Sequence, residues 1–271
     1  MKTSEFEKVF TQCYPSMHKL LNEIRVVTGN LSTANLKRAS VQMKVFKHLQ
    51  SAYVGNTANA YISWTKRVLK KMKVECIDFK LHKCDTMNIS LDVDELKRIE
   101  KLKLKSMKME YVRDLFLLSC YTGARFSDVV SFSGSNICDG MLVWQQHKTK
   151  RRCVVPATQK VKRLVSQVSM MRCKALPNNI VNVWLKAICQ LAKVDNEVTV
   201  IKNGKVMKVK KHEAVSFHTA RRTFCTVLYE NGVDLLDVSK LAGHSSIEMT
   251  KRYITSSIKQ VSKEKLLKYL M

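Results

Sequence analysis

SFHTARRTF, residues 216–224, is the stretch on which the reading of this chain turns. Placed on a helix, Phe217, Ala220, Phe224, Val227 and Leu228 fall in one narrow apolar stripe, the mark of a core face. Arg221 lies beside that stripe, His218 a little further round, and Arg222 further toward solvent. Arg221 is therefore expected to be half-buried. A guanidinium taken out of water needs a carboxylate partner or a bound anion. This segment alone leaves both open.

The residues that follow extend the pattern. Asn231-Gly232 can end the helix. Asp234 can cap LLDVSKLA, which Gly243 stops, and His244 stands just past that stop. Ser245 and Glu248 have the spacing of a capping box for a further helix, with Tyr253 two turns into it. Two turns of chain within about twenty residues bring His218, Arg221, His244 and Tyr253 within reach of one another. Upstream, in YTGARFSD (121–128), Arg125 follows a helix-ending glycine and projects from a rigid corner. Asp128 is placed to orient it or another basic group. In QQHKTKRR (145–152), Lys148 sits at the tip of a hairpin.

Composition narrows the function. The 271 residues carry 48 Lys+Arg against 22 Asp+Glu, a formal charge of +26, with 45% hydrophobic residues. A foldable chain this basic repels itself and calls for a polyanion, nucleic acid before a membrane surface or an acidic protein. The nine cysteines lie far apart with no CxxC pair, which gives no zinc site and suits reduced thiols. The start has no apolar leader and no long uncharged apolar run follows, so a soluble intracellular protein is expected.

The fold class read from periodicity is mainly α with a small antiparallel β-sheet (α+β). Residues 1–80 read as a helical domain, 81–90 as a linker and 91–271 as a larger domain. In the first, Pro15 breaks a helix. The segment after Gly55, capped by Asn56 or Thr57, sets Tyr61, Trp64, Val68, Leu69 and Met72 against Lys66, Arg67, Lys70, Lys71 and Lys73. In the second, a helix starts near Ser90 or Asp92, another stops at Gly123, and 141–155 make two strands around a basic turn. Helices return at 159–171 and 178–193. Residues 198–211 form a hairpin with Asn203-Gly204 as its turn.

Together TGARFSD, HKTK, HTARRTF and LAGHSSIEMTKRY resemble the tyrosine recombinase, or phage integrase, family, over most of residues 91–256. The resemblance implies a helical core DNA-binding domain followed by a catalytic domain, and site-specific cleavage and rejoining of DNA through a 3′-phosphotyrosine. It implies that Arg125 and Arg221 clamp the scissile phosphate and that Lys148 protonates the leaving 5′ oxygen. His218 and His244 would assist proton transfer and bind phosphate oxygens, Tyr253 would be the nucleophile, and Asp128 an accessory carboxylate. Lys66, Arg67, Lys70, Lys71, Lys150, Arg151 and Arg222 are candidate DNA contacts. No cofactor and no metal are expected. The expected partners are double-stranded DNA at specific sites, a homo-tetramer on synapsed DNA (a monomer when free) and an accessory DNA-bending protein, with no membrane. The expected location is cytoplasmic, in a bacterial nucleoid or encoded by a phage or mobile element. Two alternatives are a type IB-like relaxing enzyme and a catalytically silent DNA-binding regulator. The tail, with Ile258, Val261, Leu266, Leu267 and Leu270, either packs on its own domain or docks on a neighbouring protomer.

Overall fold

The computed structural model describes residues 4–81, 89–171, 176–202 and 205–258. The chain divides into two compact units, Met1–Thr86 with Ile201–Val206, and Met87–Val200 with Met207–Met271. It is mostly helical with small antiparallel sheets, as the periodicity predicts. Among the described residues no helix is long and apolar enough to cross a membrane.

The first unit holds α1 (Glu5–Cys13), α2 (His18–Thr28), α3 (Thr33–Lys37), α4 (Ala39–Ala52) and α5 (Gly55–Lys71). Ser4 and Glu7 close a reciprocal capping box on α1, which ends before Pro15. Phe6, Phe10, Leu20, Ile24, Phe46, Leu49, Ile62 and Leu69 form the core, each such side chain contributing roughly 1.5–3 kcal/mol by leaving water. Buried Gln42 donates to the carbonyls of Leu36 (2.8 Å) and Glu75 (2.9 Å) and accepts from the Ile77 amide (3.0 Å). It pins the segment after α5 to α4. The apolar stripe of α5 is as expected, but Val54 occupies its N-cap and no side chain caps it, neither Asn56 nor Thr57.

The second unit begins with α6 (Val93–Lys101), whose N-cap Asp92 closes a capping box with Glu95. Then come α7 (Met107–Thr122), α8 (Phe126–Val129), strands β1 (Ile137–Cys138), β2 (Met141–Gln145) and β3 (Arg152–Pro156), α9 (Gln159–Met170) and α10 (Asn178–Leu191). The chain continues through β4 (Glu197–Lys202), β5 (Lys205–Lys210), α11 (Lys211–Ala214), α12 (Phe217–Glu230), α13 (Leu235–Ala242) and α14 (Ile247–Ile258). Antiparallel β1-β2-β3 form one sheet and β4-β5 another. The Asn203-Gly204 turn, most of the predicted linker and the tail beyond Ile258 lie outside the described residues.

Helix α7 is buried over most of its length from Tyr111 onward and packs against α9, α10 and α12 at the centre of the unit. Phe217 makes edge-to-face contacts with Phe116 (6.0 Å) and Phe126 (5.0 Å), which moors the start of α12 to α7 and α8. At the end of α7, Gly123 adopts φ +69, and a Cβ there would lie 2.5 Å from the Phe224 ring. Only glycine lets α12 approach the corner that carries Arg125.

Candidate active site

Six chemistry-bearing residues singled out in the sequence lie on or beside the elements around α12. Arg221 and His218 stand on α12, Arg125 is the N-cap of α8, Lys148 is in the loop between β2 and β3, His244 follows α13 and Tyr253 is on α14.

Arg221 is 1% exposed and ranks among the largest fully buried side chains. Its Nη1 donates to the Gly123 carbonyl (2.7 Å) and its Nε to His244 Nε2 (3.2 Å). Its Nη2 is buried with no hydrogen-bond partner among the described residues. No carboxylate among the described residues lies within ion-pair distance of it. Of the two partners the sequence left open, the carboxylate is not found among the described residues, and a buried guanidinium without a counter-charge is costly.

A guanidinium N–H only donates, so His244 Nε2 must be the acceptor and its proton sits on Nδ1. That Nδ1 faces Thr250 Oγ1 at 2.8 Å. Both ring nitrogens of His244 are therefore engaged within the protein, and it braces Arg221 instead of presenting a free donor. Burial, then the charges of Arg221 and Arg125, hold His244 down at about 3. Burial, then Arg222, Arg221, Arg125 and Lys148, hold His218 down at about 4. The His218 side chain is exposed, so solvent screens its neighbours and weakens that pull, whereas His244 is 4% exposed and is screened least. Both imidazoles are neutral at neutral pH. Burial and then the Arg125 charge also pull Arg221 below its usual value. The site is a cluster of cations held together against their own repulsion.

Tyr253 is half-buried, with its hydroxyl 3.1 Å from His218 Nε2 and its ring centroid 5.0 Å from that of His244. The Arg222 guanidinium lies over the same ring at 5.9 Å, and its Nε is buried. Arg222 therefore does not simply face solvent, because α14 packs across that side of α12 and covers it.

Asp128 is 1% exposed, and its Oδ1 accepts from the His147 amide at 2.9 Å. It holds the backbone of the loop that carries exposed Lys148 and does not pair with Arg125. Arg125 instead donates from Nη1 to Gln146 Oε1 at 2.5 Å. Gln146 was not singled out by its sequence context. A signal existed: with Leu142 and Trp144 it falls on the inward face of β2 and the residue that continues it. Arg151 donates to the His244 carbonyl (2.6 Å), tying the same loop to the turn before α14. Ser245 turns its hydroxyl to the Met249 sulfur and Glu248 pairs with Lys251, so the expected capping box is not made.

Of the remaining basic candidates, Lys66 is spent internally, with Nζ 3.3 Å from the Phe79 carbonyl and over the Phe46 ring. Arg67 reaches the Tyr14 hydroxyl and Lys71 the Cys13 sulfur, while both stay exposed, as do Lys70 and Lys150. A cleft of about 570 Å³ opens beside His244, lined by Arg151, Arg152, Lys240, Ser245 and Ser246 among others. Among the described residues no cluster of three or more His, Cys, Asp or Glu side chains could hold a metal ion.

The phage integrase family model matches residues 90–260. The chain belongs to the phage integrase family. Tyrosine recombinase XerC of Rickettsia canadensis is 22% identical over 238 residues, 86% of this chain and 72% of that protein. Tyrosine recombinase XerD of Staphylococcus aureus is 27% identical over 186 residues, 64% of this chain and 60% of that protein. The fold is that of a lambda integrase dimer solved on a COC′ core site, with TM-score 0.63 and 15% identity over 92% of this chain and 94% of that one. It is also that of the XerH recombinase solved on its difH substrate, with TM-score 0.60 and 15% identity over 95% of this chain and 79% of that one. The XerC and XerD relatives are both tyrosine recombinases.

Proposed function

We propose that this chain cleaves and rejoins DNA at specific sites through a tyrosine–DNA covalent intermediate, with Arg125, Lys148, His218, Arg221, His244 and Tyr253 as its machinery. The observation that carries the reading is the Tyr253 hydroxyl, hydrogen-bonded to a neutral His218 beside a buried arginine that has a donor to spare.

The scissile phosphate supplies the counter-charge that Arg221 lacks within the described residues. Arg221 Nη2 and the Arg125 guanidinium grip its non-bridging oxygens, where charge grows as the phenol attacks. Tyr253 Oη forms a bond to phosphorus, its proton passes to His218 Nε2, and the bond from phosphorus to the 5′ oxygen breaks. Lys148 Nζ gives a proton to that leaving oxygen. The phosphotyrosine keeps the bond energy for rejoining by a 5′ hydroxyl. An imidazole held at about 4 is a weak acceptor for a phenol proton. A bound phosphate offsets the surrounding cations, raises His218 and makes it a competent base, so attack waits for DNA. His244 keeps Arg221 in orientation, and Asp128 keeps the Lys148 loop in place.

The exposed cations Arg67, Lys70 and Lys71 of the first unit, and Lys150, Arg151, Arg152 and Lys240 of the second, fit a duplex backbone. On this reading the first unit is the core DNA-binding domain. DNA-bound neighbours, including a lambda integrase tetramer on a Holliday junction, support a homo-tetramer on synapsed DNA. The monomeric free state, an accessory DNA-bending protein and action at the bacterial nucleoid belong to the same proposal.

The test is a pool of nicked duplexes with randomised sequence, incubated with the protein and analysed for detergent-resistant adducts. The wild type should select a duplex and trap it covalently. Tyr253→Phe should bind the same duplex and form no adduct. An adduct that persists in Tyr253→Phe, or none with the wild type, refutes the reading.

A further inference from the structure

The geometry points to Gln146 as a positioning residue that sets the Arg125 guanidinium and couples it to the Lys148 loop. This rests on the functional reading above and names a residue that reading does not use.

Gln146 is fully buried yet keeps all four of its polar contacts within the site. Oε1 accepts from Arg125 Nη1 and from Thr149 Oγ1, both at 2.5 Å. Nε2 donates to the Ala242 carbonyl (2.9 Å) and to Cys153 Sγ (3.1 Å). The amide orientation is unambiguous, because Arg125 can only donate and a carbonyl can only accept. One planar group thus joins the α7–α8 corner, the β2–β3 loop and the end of α13, next to His244.

The two bonds to Oε1 share one acceptor. Lys148 lies between Gln146 and Thr149, so the loop is closed by the same oxygen that orients Arg125. The Gln146 backbone closes the loop as well, accepting from the Lys150 amide and donating to the Arg151 carbonyl, each at 2.9 Å. Opening the loop that carries the acid also frees the arginine that grips the phosphate. Among the described residues Arg125 has no carboxylate within ion-pair distance, which leaves a neutral acceptor to orient it and its full charge for phosphate.

The test is a double-mutant cycle on single-turnover cleavage of the nicked duplex selected above. Gln146→Met keeps the volume and removes both polar ends. Misplacing a reacting group by about 1 Å costs on the order of 100-fold, so its rate constant should fall about 10- to 100-fold. The final amount of adduct should stay near that of the wild type, because misfolded protein lowers the amplitude and misplaced groups lower the rate. In an Arg125→Ala background the same substitution should cost several-fold less than in the wild type, the remainder being its hold on the Lys148 loop, since residues acting through one another are not additive. A full additive loss, or a loss of amplitude with an unchanged rate constant, overturns the proposal. If Gln146→Met does not fold, Gln146→Asn serves in the same cycle: it keeps an amide one methylene too short to span from Arg125 to Ala242. Arg125→Ala cleaving at the wild-type rate would instead overturn the functional reading itself.

Discussion

Gly243→Ala is a small change with a large expected effect. Gly243 ends α13 in the left-handed region, φ +63. An alanine there costs roughly 1–2 kcal/mol in backbone conformation alone. Its Cβ would also lie 2.4 Å from both Cys153 Sγ and Gln146 Nε2, closer than real Cβ contacts allow. Neither atom can swing away, because Cys153 is 1% exposed and the Gln146 amide is held at both ends. Relief requires losing the bond to Ala242, worth about 1 kcal/mol, and the charged bond to Arg125, worth about 1.5–3 kcal/mol. The sum is about 3–6 kcal/mol. At roughly 2–4 °C per kcal/mol for a domain of this size, Tm should fall by about 6–24 °C. The control is Gly140→Ala, at φ +74 with no atom within 4 Å of its Cβ. It carries the conformational strain without the clash and should keep full cleavage. Thermal unfolding and single-turnover cleavage of the two variants, side by side, decide the matter. Equal Tm and equal cleavage in both would refute the account of how this turn is packed.

Two more outcomes follow from the site. Lys148→Ala should slow cleavage about 10²–10⁴-fold and leave DNA binding nearly unchanged. A substrate with sulfur in place of the leaving 5′ oxygen departs without a proton and should recover most of that rate; no recovery would remove Lys148 from the acid role. The second concerns acid stability. His244 is held at about 3 in the folded chain, against about 6.5 when unfolded. Between those values the unfolded state binds more protons, so stability falls as pH drops from about 6.5 toward 3. At about 1.4 kcal/mol per unit, His244 alone accounts for a few kcal/mol. A bound phosphate raises both histidines, so the Tm increase on adding duplex should be larger near about pH 5 than near neutrality. A free protein whose Tm is flat across that range would contradict a neutral, buried His244.

Much of this was legible because the signals are local. Asp234 and Gly243 bracket α13, Gly123 ends α7 and Pro15 follows α1, each through backbone chemistry carried by one residue. The α12 stripe set Phe217 and Phe224 inward, and both pack where that angle places them. Other features were not local. The angle of Arg222 on its own helix points it toward solvent, but α14 supplies the Tyr253 ring that covers it. Lys66 looked like one more surface cation until Phe79 and Phe46 took it. Gln146 gathers partners from positions 125, 149, 153 and 242, and no window of sequence contains them. Alternation along β2 could have flagged a polar side chain on an inward face, though not what it holds.

The burial of Arg221 bears on how such a chain would decay. Shortening that side chain opens a hole in the core and strands the Gly123 carbonyl and His244 Nε2, which it now satisfies. Tyr253 sits half in solvent, and trading it for phenylalanine removes one oxygen and leaves the packing whole. A descendant that gave up strand breakage but went on gripping its site would reach that state in one step at the phenol. At the arginine the first step would also open a cavity and leave two acceptors unsatisfied.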